Sequence, residues 1–159
     1  MKLITLFSSN WHPLLSSVGT HSMLVIISVG LGIIIAVPLG ILLTRKSGAA
    51  PIVLAAASMV QTIPGLVMLG FALVLLGIGR KPALATLTVY SILPILQNTY
   101  TGISEVPFAY TDAAKGIGMT PMQVLFKVEL PLAVAPIISG IRTSAVYIVS
   151  WATLAGMIG

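Results

Sequence analysis

The residues of this chain that could do chemistry are few, and they fall into two sets. The first is a polar island between two apolar stretches of membrane length. It runs from Asp112 to Pro131 as D-A-A-x(3)-G-x(9)-V-x-L-P, with Asp112, Ala113, Ala114, Gly118, Val128, Leu130 and Pro131 at its defined places. The 3 acidic residues of the chain, Glu105, Asp112 and Glu129, all lie in or beside it. A membrane protein that gathers its acids in one loop offers that loop to a soluble partner. The second set lies inside the apolar stretches: Gln61, Gln97, Asn98, Arg142 and Ser150, with the aromatics Tyr147 and Trp151 four positions apart and so on one helical face. Polar groups at membrane depth are costly and face protein or a water-filled cavity. No acid, base and nucleophile stand together. Cysteine is absent, His12 and His21 lack the clustering that metal ligation needs, and no G-x-x-x-x-G-K-[ST] loop cradles phosphate. The reading is a binding and contact protein with no catalytic site, no metal and no cofactor of its own.

Composition puts the supporting elements in a bilayer. Of 159 residues, 57% are hydrophobic and 7% charged, and mean hydropathy is +1.11, whereas soluble domains carry about 25% charged residues. The 8 Lys and Arg outnumber the 3 acids, for a net charge of +5. Apart from Lys2, they are scattered as Arg45/Lys46, Arg80/Lys81, Lys115, Lys127 and Arg142, mostly at the ends of apolar runs. Flanking cations suit lipid headgroups, so membrane lipid is the expected partner and nucleic acid is not.

Uncharged runs of the length a bilayer demands, about 20 residues, divide the chain into spans at about 21–43, 51–76, 83–103 and 132–151. Residues 1–20 mix apolar side chains with Ser8, Ser9, Asn10, His12 and Pro13 and read as an interfacial segment. No small-residue cleavage site follows Lys2, so the first span is expected to be retained. In the second span Pro64 cannot donate to Val60, and with Gly65 it predicts a kink near mid-membrane. Gly32, Ala36 and Gly40 mark a helix-packing face, and Met23, Met59 and Met68 read as packing. The fold expected is an all-α, polytopic transmembrane bundle. Its chain is expected to continue past Gly159, because it stops on an apolar run. With Arg45/Lys46 inside, alternation places Lys115 and Lys127 inside and Arg80/Lys81 outside.

The loop over 104–131 predicts two short helices. Asp112-Ala113-Ala114-Lys115 supplies helix formers with an acid toward the start; Gly116 and Gly118 interrupt them. Thr120-Pro121 reads as an N-cap followed by a first-turn proline, opening a helix over 121–128. Leu130-Pro131 is expected to turn the chain into the last span. Met119, Met122, Leu125 and Phe126 are expected to form a docking surface, and Glu105 and Glu129 to be solvated or to pair with Lys127 and Lys115.

The island resembles the EAA loop, E-A-A-x(3)-G-x(9)-I-x-L-P, of permease subunits of ATP-binding-cassette importers, with Asp112 for Glu and Val128 for Ile. Gln61-Thr62-Ile63-Pro64, the block Tyr90 to Tyr100, Lys115 to Thr120, and Gly140-Ile141-Arg142-Thr143-Ser144 resemble the osmoprotectant branch, which carries glycine betaine, carnitine and choline. The likeness runs from about His21 to Gly159.

The resemblance implies a permease domain over 21–159 of the type I importer kind, multi-pass in a bacterial cytoplasmic membrane, with the chain ending before the last helix. It implies a second permease subunit, the same or similar; cytoplasmic ATPase subunits that hold ATP and Mg; and an extracytoplasmic substrate-binding protein. Asp112, Ala113, Ala114, Lys115, Gly116, Gly118, Leu130 and Pro131 would couple to the ATPase. Gln61, Pro64, Gln97, Asn98, Arg142, Tyr147 and Trp151 would line the path. Arg142 either meets a substrate carboxylate or braces helices, and bracing is favoured because a cation in a pore repels a quaternary ammonium. Tyr147 and Trp151 either offer cation–π contact or anchor the span at the interface, the commoner use of such aromatics. The rival classes are a permease for another small amino-acid-like solute and an ion-coupled secondary transporter. The latter would require an acid within a span, and none falls there.

Overall fold

The computed structural model describes residues 11–46 and 48–155. Among them every regular element is helical: α1 (Trp11–Arg45), α2 (Ala50–Thr62), α3 (Gly65–Leu76), α4 (Arg80–Ser104), α5 (Phe108–Gly116), α6 (Pro121–Val124), a π-helical turn (Leu125–Glu129) and α7 (Leu130–Ala155). Two stretches, Leu14–Arg45 and Pro121–Thr153, are each long and apolar enough to cross a membrane. The bent pair α2 and α3 makes a third if taken as one span.

Three boundaries depart from the sequence-based expectation. The first long helix begins at Trp11 rather than His21, so the segment read as interfacial is, from Trp11 on, a continuous extension of α1; residues 1–10 lie outside the described region. The kink at Pro64 is a full break, and the axes of α2 and α3 meet at 92°. Ile63 precedes a proline, is pushed out of the helical region and sits at ψ 128°, while Pro64 caps α3 at ψ 132°. The third departure is at Leu130-Pro131, where no turn occurs. α6, the π turn and α7 follow one another without interruption.

α4 is the central helix and packs against α1, α2, α3 and α7. This explains its polar sequence. A helix wrapped by protein need not be apolar all round, and α4 buries Thr86, Thr88, Ser91 and Thr99 beside Leu87, Leu93, Ile95 and Leu96.

The small-residue face of α1 packs as its spacing predicts. A Cβ built on Gly32 would collide with Ser91, and one on Gly40 would stand 2.8 Å from the Cβ of Thr99; between them Ala36 is wholly buried. Gly32, Ala36 and Gly40 thus run against Ser91, Ile95 and Thr99, two four-residue ladders in register. The opposite side of α4 meets α7 in the same way: a Cβ on Gly140 would lie 2.8 Å from the Pro94 carbonyl oxygen, and one on Gly102 would strike Pro136. Backbones this close allow hydroxyl bridges. The Ser91 hydroxyl donates to the Thr88 carbonyl of its own helix at 2.7 Å and also lies 3.1 Å from the Ser28 carbonyl, and Ser144 donates to the Ser91 carbonyl at 3.1 Å, bringing α1, α4 and α7 together at one level. Such bonds contribute about 0.6 kcal/mol each within a membrane.

Candidate functional site

The polar island folds into a compact elbow. Pro107, extended at ψ 131°, opens α5 at Phe108. Asp112 therefore lies past the first turn rather than at the positive end of the helix, correcting the expectation from its place ahead of Ala113 and Ala114. α5 ends in a Schellman motif: the Gly118 N–H donates to the Lys115 carbonyl at 2.9 Å and the Met119 N–H to the Ala114 carbonyl at 3.1 Å. That geometry places Gly118 at φ 83°, a left-handed conformation that suits glycine. Thr120 then caps α6 as expected and more completely: its backbone N–H donates to Gln123 Oε1 at 2.8 Å and its hydroxyl oxygen accepts from the Gln123 N–H.

The surface of the elbow differs from the expected one. Asp112, Ala113, Lys115, Gly116 and Gly118 are exposed, while Ala114 is buried and braces the elbow internally. Met122 and Phe126 are exposed, Met119 is half-buried and Leu125 is buried. Phe108, Tyr110 and Ile117 join the exposed apolar set, and periodicity did not single them out.

Pro131 accounts for the π turn. It lacks an N–H for the Lys127 carbonyl, and in a regular helix its ring would collide with that oxygen. Just before it the helix widens over Leu125–Glu129, and the Leu130 N–H reaches back five residues to the Leu125 carbonyl. The extra residue in the turn leaves Glu129 buried, where both its carboxylate oxygens accept from the guanidinium of Arg45 at the end of α1. Two expectations fall here. Glu129 pairs with neither Lys115 nor Lys127, and Arg45 serves an ion pair rather than only lipid headgroups. Leu130 is half-buried against Ile103, Ala133 and Ile137; Pro131 is exposed.

A second arrangement lies at the α2–α3 break. Pro94 cannot donate to the Tyr90 carbonyl, and Gln61 fills the vacancy, its Nε2 donating at 3.2 Å. The Tyr90 hydroxyl donates to the Ile63 carbonyl, which the break leaves without a helical partner. The Tyr90 ring lies 5.6 Å from that of Trp151, tilted by 42°, and Trp151 in turn rests on Gly65, where a Cβ would collide with it. Gln61, Tyr90, Tyr147 and Trp151 line an open cleft of about 160 Å³. A neighbouring cleft of about 350 Å³ is lined by Ser139, Arg142, Thr143, Val146 and Tyr147.

The structure thus brings Gln61, Pro64, Tyr147 and Trp151 into one region and adds Tyr90, whose signal in the sequence was its place four residues before Pro94. Asn98 stands apart: its amide donates to the Pro94 carbonyl at 2.8 Å, and it packs where Gly140 makes room. Gln97 is exposed on α4. The expected bracing by Arg142 is not found, since among the described residues it makes no hydrogen bond or ion pair and its side chain is exposed midway along α7.

A bundle of apolar helices with a polar core helix, a broken span and an elbow continuous with a membrane-crossing helix defines a permease of the type I importer class. The chain belongs to the family described as "Binding-protein-dependent transport system inner membrane component", whose model matches residues 28–159. It is 47% identical to the glycine betaine/carnitine/choline transport system permease protein OpuCB of Bacillus subtilis (strain 168), over 99% of this chain and 73% of that protein. It is 43% identical to the carnitine transport permease protein OpuCB of Listeria monocytogenes, over 99% and 72%. An inward-facing structure of the MetNI methionine ABC transporter superposes with a TM-score of 0.79 at 25% identity, covering 92% of this chain and 74% of that one.

Proposed function

We propose that this chain is a pore-forming permease subunit of an ATP-binding-cassette importer for quaternary-ammonium osmoprotectants of the betaine, carnitine and choline class. It works beside a second permease subunit, with extracytoplasmic delivery by a binding protein and with ATP and Mg held by cytoplasmic ATPase subunits. It crosses the cytoplasmic membrane several times, with the elbow inside. The observation that carries the mechanism is the unbroken run from Thr120 through the π turn into α7. A partner that moves Thr120 to Glu129 moves α7 with them, because the helix is unbroken from there, and Asp112, Lys115, Gly116 and Gly118 are tied to that run by the hydrogen-bonded turn at Gly118. The Arg45–Glu129 pair adds α1 to the moving body. Closure of the nucleotide-binding dimer then becomes a tilt of membrane helices, exchanging inward for outward access.

The test is a reconstituted complex of this permease, its ATPase and its binding protein. ATP hydrolysis stimulated by glycine betaine, carnitine or choline, together with solute uptake, is the expected outcome. Uptake by the permease alone under an ion gradient, or an ATPase that never co-purifies with it, overturns the reading.

A further inference from the structure

Arg142 sits midway along a membrane-crossing helix with its charge unpaired among the described residues, a position that a lipid-facing side chain does not hold. Its face of α7 therefore meets water or protein. On that face Tyr147 belongs to two clefts at once, the aromatic one with Gln61, Tyr90 and Trp151 and the cationic one with Ser139, Arg142 and Thr143. The rings of Tyr90, Tyr147 and Trp151 offer negative π-faces to a cation, while the guanidinium and two hydroxyls offer donors to an anion. The aromatic wall is held in place independently of any ligand: Tyr90 is tied to Ile63 and Gln61, and Trp151 is seated on Gly65.

We propose that these adjoining clefts form a transit site for a zwitterion, with a trimethylammonium group against Tyr90, Tyr147 and Trp151 and a carboxylate toward Arg142. Tyr147 is the shared wall that places opposite charges side by side. Tyr147 follows Arg142 by five positions on α7, a rise of about 7.5 Å, and both line the second cleft, so the fixed cation lies beyond the aromatic wall on the side of the other end of the solute. A solute carrying only the cation gains nothing from Arg142 and is repelled by it. The site therefore favours betaine- and carnitine-like solutes over choline-like ones. The proposal rests on the reading that the cargo is a quaternary ammonium, and it deepens that reading.

The experiment is uptake of glycine betaine and of choline by the full reconstituted complex carrying Arg142→Gln, Arg142→Lys, Tyr147→Leu or Tyr147→Phe. Arg142→Gln is expected to lower betaine uptake about tenfold while choline uptake holds or rises, and Arg142→Lys to restore most of the loss. Tyr147→Leu is expected to lower uptake of both solutes about tenfold, the size of a lost cation–π contact in a desolvated site, and Tyr147→Phe to keep it. Equal losses of betaine and choline in Arg142→Gln would mean that Arg142 braces a neighbouring subunit, and would overturn the proposal. So would full uptake by Tyr147→Leu, or a wild-type complex that carries choline but not betaine. A wild-type complex that carries neither of these solutes nor carnitine refutes the osmoprotectant reading itself, a different result from variants that fail to discriminate.

Discussion

Arg45, in the last turn of α1, grips Glu129 through both terminal guanidinium nitrogens across 84 positions of sequence, with Nη1 donating to Oε1 at 3.1 Å and Nη2 to Oε2. The carboxylate is buried and the guanidinium 44% exposed, so the two partners are not equivalent. The pair connects the end of one membrane-crossing helix to the base of the elbow.

That asymmetry sets the first prediction. Arg45→Ala strands a buried carboxylate and should cost about 1–3 kcal/mol. Glu129→Gln leaves an arginine that water solvates and should cost about 1 kcal/mol or less. Thermal unfolding in detergent should rank the two in that order, and both should weaken solute-stimulated ATP hydrolysis. Equal melting temperatures for wild type and Arg45→Ala would mean that the pair does not hold the elbow.

At Gly118, backbone conformation and surface access can be separated. An added Cβ meets nothing within 4 Å, yet φ is 83°. Gly118→Ala should therefore lose about 1–2 kcal/mol from left-handed strain alone, and Gly118→Asn less, because asparagine tolerates that region. Gly118→Trp should still insert into the membrane but abolish uptake and ATPase stimulation by blocking the partner. Wild-type uptake by Gly118→Trp would show that the elbow docks to nothing there.

The α1–α4 seam predicts a contrast between two glycines of one helix. Gly40→Val forces backbones apart against Thr99 and should cost about 1–3 kcal/mol by overpacking. A Cβ at Gly30 meets nothing within 4 Å, so Gly30→Ala should be neutral or stabilise the helix by up to about 1 kcal/mol. Melting curves of the two variants give the comparison directly.

Tyr90→Phe keeps the ring beside Trp151 but leaves the Ile63 carbonyl without its donor. A loss of about 1 kcal/mol is expected, with faster amide hydrogen exchange around Thr62 to Leu66 and little change in the elbow. Unchanged exchange at the break would show that the hydroxyl does not seal it.

Much of the molecule was legible because its signals are local. Pro64 breaks the second span whatever surrounds it, since the missing N–H and the restricted residue before it act within one turn. Thr120-Pro121 starts a helix for the same reason. Gly32, Ala36 and Gly40 announced a packing face, although the identity of the facing ladder, Ser91, Ile95 and Thr99, belongs to the folded bundle. Leu130-Pro131 was read as a turn because proline usually ends a helix. The helix instead accommodates Pro131 by widening over Leu125–Glu129, and no residue type before the proline announces that.

From its own residues the chain determined the bilayer as its solvent, the helices that fill it, the place where one of them breaks, and the elbow that carries Asp112 and Glu129, two of its 3 acids. These follow from hydropathy, proline and glycine stereochemistry and capping, which act over a few residues. Tertiary structure alone decided that Glu129 would meet Arg45 and that Tyr90 would join Gln61, Tyr147 and Trp151. Those pairings join positions far apart along the chain, and their partners are selected by the rotation of each helix about its axis when the bundle closes. A single extra residue in a π turn or a 92° break changes that rotation, and no pattern of spacing along one helix records it.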